Sequence, residues 1–95
     1  MLQNLPQNQT ALIPSESSIA GVVDNINSHI DSCYCEHLTV DISFLNVIDA
    51  CYVSTLCAAR HYIKYPQGDI KWRVPSGIVE DFIKDMNLGN STFYL

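Results

Sequence analysis

The feature that most constrains this chain is a hydrophobic period that switches back and forth along it. Leu38, Val40 and Ile42 alternate at period two, and so do Ile70, Trp72 and Val74. Side chains on a strand point to opposite faces in turn, so this spacing predicts half-buried strands. Between them the period lengthens. Ile19, Val22, Val23, Ile26 and Ile30 fall at i, i+3, i+4, i+7 and i+11, the stripe of an amphipathic helix. Val53, Leu56, Cys57 and His61 repeat it within a segment from Ala50 to Tyr65, and Ile78, Val79, Phe82, Ile83 and Met86 make a third stripe. Thr10 to Ile13, closed by Pro14, adds an edge strand, and Thr92 to Leu95 a last one. The order is β-α-β-α-β-α-β. Helical crossovers between strands are right-handed, so the expected fold is α/β: a small, mostly parallel sheet of about four strands with three helices, their stripes in the core.

The punctuation agrees with this division. Ser15 or Ser17 is placed to cap the first helix, with Glu16 at the positive end of its dipole. Asp49 stands where the second needs a cap, and Pro66-Gln67-Gly68 stops it. Ser76 precedes the third, and Gly89 suits a left-handed terminator after it. Residues 1–8 are polar, interrupted by Pro6, and read as a flexible lead-in. Residues 9–95 then form one domain, the unit expected for a chain of 95 residues.

Charge narrows the partners. The net charge is −5, and Arg60, Lys64, Lys71, Arg73 and Lys84 are scattered among ten acids. Phosphate backbones are held by clustered cations that displace counterions, so nucleic acid is disfavoured. No apolar run approaches the roughly 20 residues that cross a bilayer. Met1 to Thr10 has neither the basic nor the apolar part of a secretion signal, so a cytoplasmic protein is expected. In that compartment Cys33, Cys35, Cys51 and Cys57 are expected as free thiols, and the sequons at Asn8 and Asn90 as chance matches. Only 16% of the residues are charged, a surface easily desolvated in a protein contact.

One stretch resembles a known family. Leu38-Thr39-Val40-Asp41-Ile42-Ser43, the turn Phe44-Leu45-Asn46-Val47 and Ile48-Asp49-Ala50-Cys51-Tyr52-Val53 are similar to the strand, turn and helix start of STAS domains, the anti-sigma-factor-antagonist type. The likeness runs on through Asp69 to Val74, the helix from Gly77 to Met86, and Asn87-Leu88-Gly89, roughly residues 17–95 in all. It implies a non-enzymatic interaction module docking onto a kinase-like anti-sigma factor or a related regulator. In that family a Ser at the start of the second helix is phosphorylated, at a helix end whose amides and dipole favour phosphate. Here that position is Ala50, which has no hydroxyl, and the usually small residue two places on is Tyr52. The expected docking face is therefore Asp41, Ser43, Asp49, Ala50, Cys51 and Tyr52, with Tyr52 as a rigid aromatic anchor and the usual switch absent. A homodimerising structural domain is the alternative.

Other chemistry is thin. His29, Cys33, Cys35 and His37 offer soft ligands in an H-x3-C-x-C-x-H run, the basis of a weaker reading as a zinc or thiol protein. Structural zinc sites usually take two ligand pairs from separated segments, so no metal is expected. Cys51 at a helix start and His61 ten residues on lie about 15 Å apart along one helix, too far for a nucleophile and its base. Asp49 is explained by capping. There is no glycine-rich phosphate loop and no nucleophile elbow, so neither a cofactor nor catalysis is expected.

Overall fold

The computed structural model describes residues 9–14, 17–32, 34–86 and 90–95. The lead-in 1–8, the capping candidates Ser15 and Glu16, Cys33 and the terminator Gly89 lie outside them. The elements follow the expected order: β1 (Gln9–Leu12), α1 (Ile19–Ser32), β2 (His37–Asp41), α2 (Val47–Lys64), β3 (Asp69–Arg73), α3 (Ile78–Ile83) and β4 (Ser91–Tyr94), with one 3-10 turn, Lys84–Met86, after α3.

All four strands are parallel, in the order β1-β2-β3-β4. Consecutive order with right-handed crossovers puts every helix on the same face of the sheet. The register shows the consequence. Leu38 pairs with Ile70, Val40 with Trp72, and Trp72 in turn with Phe93; the first four are buried beneath the helices. The alternate row, Thr39 beside Lys71 beside Thr92, and Asp41 beside Arg73 beside Tyr94, faces away from them. Parallel sheets usually carry helices on both faces and read as continuous apolar runs. This one is polar on the bare side, where His37 Nδ1 meets the Asp69 carboxylate and Arg73 lies 3.6 Å from Asp41.

The core is the layer between sheet and helices. α1 contributes Val22, Ile26 and Ile30, α2 contributes Ala50, Val53, Cys57 and Ala58, and α3 contributes Val79 and Ile83. Gly68 is required by close approach: a Cβ there would sit 2.2 Å from the Glu36 carbonyl oxygen, beside the point where Asp69 N–H bonds that oxygen at 2.9 Å.

Three local expectations are corrected. The cap of α1 is Ser18, whose hydroxyl accepts from Gly21 N–H at 3.0 Å. The cap of α2 is Asn46, whose side chain accepts from Asp49 N–H at 2.8 Å and donates back to the Asp49 carboxylate at 3.0 Å. The helix therefore begins three residues before Ala50, with Asp49 in its first turn rather than ahead of it. Leu56, expected in the core, is 43% exposed, and Ile78, Phe82 and Met86 are also turned outward. The reason is helical phase. In α2 the buried positions are 50, 53, 54, 57, 58 and 61, and Leu56 falls outside that arc. In α3 only the width of Val79 and Ile83 reaches the sheet.

Candidate functional site

The expected docking residues fall at the carboxyl ends of the strands and the start of α2, and the fold treats them differently. Asp41 ends β2 and closes the turn that follows, accepting from the Ser43 hydroxyl at 2.6 Å and the Ser43 N–H at 2.9 Å. Those bonds, hydroxyl first, hold its carboxyl below the ordinary carboxylate range, with a lesser pull from Arg73. Asp41 and Ser43 thus satisfy each other. Asp49 is engaged with Asn46. Ala50 is wholly buried, so it forms part of the core and not of any docking face. Cys51 is half-buried, its Sγ 4.0 Å from the Val79 carbonyl oxygen, and burial pushes its thiol up. Tyr52 alone stands well out, 55% exposed.

Cys51 and Tyr52 belong to a larger feature that the sequence reading missed. Ile48, Cys51, Tyr52, Thr55 and Leu56 on α2 face Phe82, Ile83 and Met86 across a groove of about 400 Å³. The Thr55 hydroxyl donates to the Cys51 carbonyl at 2.7 Å, within its own helix, leaving its methyl as the available surface. The signal was present in the sequence. Besides its buried arc, α2 carries Ile48, Tyr52, Thr55, Leu56, Ala59, Tyr62 and Ile63 at i, i+4, i+7, i+8, i+11, i+14 and i+15, a second stripe without one charge. A helix apolar on both sides is ordinarily covered on both sides.

The chemically capable groups are elsewhere and committed. His61 is buried, and since a carbonyl oxygen only accepts, its Nε2–H donates to the Cys35 carbonyl at 2.8 Å. Burial lowers its pKa. Tyr65 packs against its ring and takes the Cys35 N–H on its hydroxyl. The Cys57 thiol is pushed up to about 12 by burial. Such thiols are poor nucleophiles, since the thiolate is the reactive form. Cys51 and Cys57 are free thiols.

Of the soft-ligand run, His29, Cys35 and His37 are among the described residues, and they lie in different surroundings. His29 lies in the last turn of α1, its Nε2 buried and without a hydrogen-bond partner. The Cys35 Sγ sits 3.9 Å from the carbonyl oxygens of His29 and Ile30, while His37 is on the bare sheet face with Asp69. Among the described residues no group of three or more His, Cys, Asp or Glu is placed to hold a metal ion, and no helix is long and apolar enough to cross a membrane. No family model matches the chain, and neither a curated protein nor a solved structure matches it.

Proposed function

We propose that this chain is a non-enzymatic protein-interaction module, similar in plan to the anti-sigma-factor antagonists, that docks through the outward face of α2 and its groove against α3. The carrying observation is the uncharged apolar stripe on α2, with Tyr52 exposed in its first half and the groove beside it. Exposed aromatics in apolar patches are the residues that dominate interface energies, and large exposed apolar patches are rare on chains that act alone. Ala50, in the position of the family's phosphorylated Ser, is sealed in the core. Docking here is therefore unswitched by phosphate at that position. The raised thiols and the committed His61 and Asp41 favour contact over chemistry.

Photocrosslinking tests this reading. Benzoylphenylalanine in place of Tyr52 is expected to yield covalent protein adducts in living cells. The same group in place of Lys71, on the bare sheet face, is expected to yield none. Equal adducts at both positions, or none at position 52, would overturn the assignment of the face.

A further inference from the structure

We draw no further inference here: the strongest candidate, the apolar groove between α2 and α3 lined by Ile48, Tyr52, Leu56, Phe82 and Met86, belongs to the docking face already described, and nothing in the structure shows what covers it.

Discussion

α2 makes two seams, one with α1 and one with α3, and they are finished in opposite ways. Against α1 the seam is closed. Ile26 and Ile30 are fully buried there, and polar groups lock its rim: Arg60 pairs with the Asp31 carboxylate, and Lys64 donates to the Ile30 and Asp31 carbonyls at 2.7 and 2.8 Å. Those carbonyls end α1 and would otherwise lack a partner. His61 ties the same region to the loop after α1. Against α3 the seam is open. The Cys51 thiol there approaches the Val79 carbonyl at 4.0 Å, and Leu56, Phe82 and Met86 line a groove instead of a core. The same helix is thus packed and bonded along one side and leaves an open groove along the other.

The sharpest test of that contrast is stability. Ile26→Ala, on the closed side, should cost about 2–5 kcal/mol, enough to leave so small a domain near unfolding. Leu56→Ala, on the open side, should cost less, about 1–2 kcal/mol, because 43% of its surface is already in water. Urea unfolding reads both costs. Equal costs would mean the groove is packed and the contrast is lost.

A smaller effect should appear with pH. His61 has a pKa below its ordinary 6.5, chiefly through burial. Above that value it is neutral in both folded and unfolded chains, and its stabilising contribution is complete. As pH falls through about 6.5 the unfolded chain takes up the proton first, so stability declines on the acid side. Asp31 and Asp41, whose pKa values lie below 3.8, act only at lower pH, which separates the two windows. His61→Gln keeps an N–H for the Cys35 carbonyl and should flatten the melting temperature between pH 7.5 and about 5. Parallel profiles for parent and variant would assign the acid loss to other groups.

The least effect belongs to Arg60→Ala. Its pairing with Asp31 lies at the surface, both side chains about half exposed, so the melting temperature should fall slightly in low salt and not measurably in 1 M salt. A loss rivalling that of Ile26→Ala would make the closed seam electrostatic rather than apolar.

The alternation of period carried the element order and the parallel sheet, because Leu38, Val40, Ile70 and Trp72 sit on a buried face that admits no other spacing. It failed at the outward stripes. Leu56, Ile78, Phe82 and Met86 obey helical spacing as well as Val53 and Val79 do, and periodicity says that residues share a face without saying what that face meets. The cap of α2 was misplaced because Asp49 is a good cap by type, while Asn46, three residues earlier, makes the reciprocal bonds. Of the expected site, Tyr52 is exposed as an aromatic at a helix start can be, while Cys51, whose size and type suit a core position, is only half-buried. The depth of Ala50 was not legible, since burial of a small residue in a first turn depends on how deeply the helix sinks onto the sheet.

The consecutive strand order carries a consequence for how the chain is made. Each strand after the first bonds to the strand made just before it, and no strand is inserted between two that already pair. A chain emerging from its amino end can lay down β1, then β2, then β3 as each becomes available, never waiting on a later segment to open or fill a gap. The last strand to arrive, β4, joins an edge already formed.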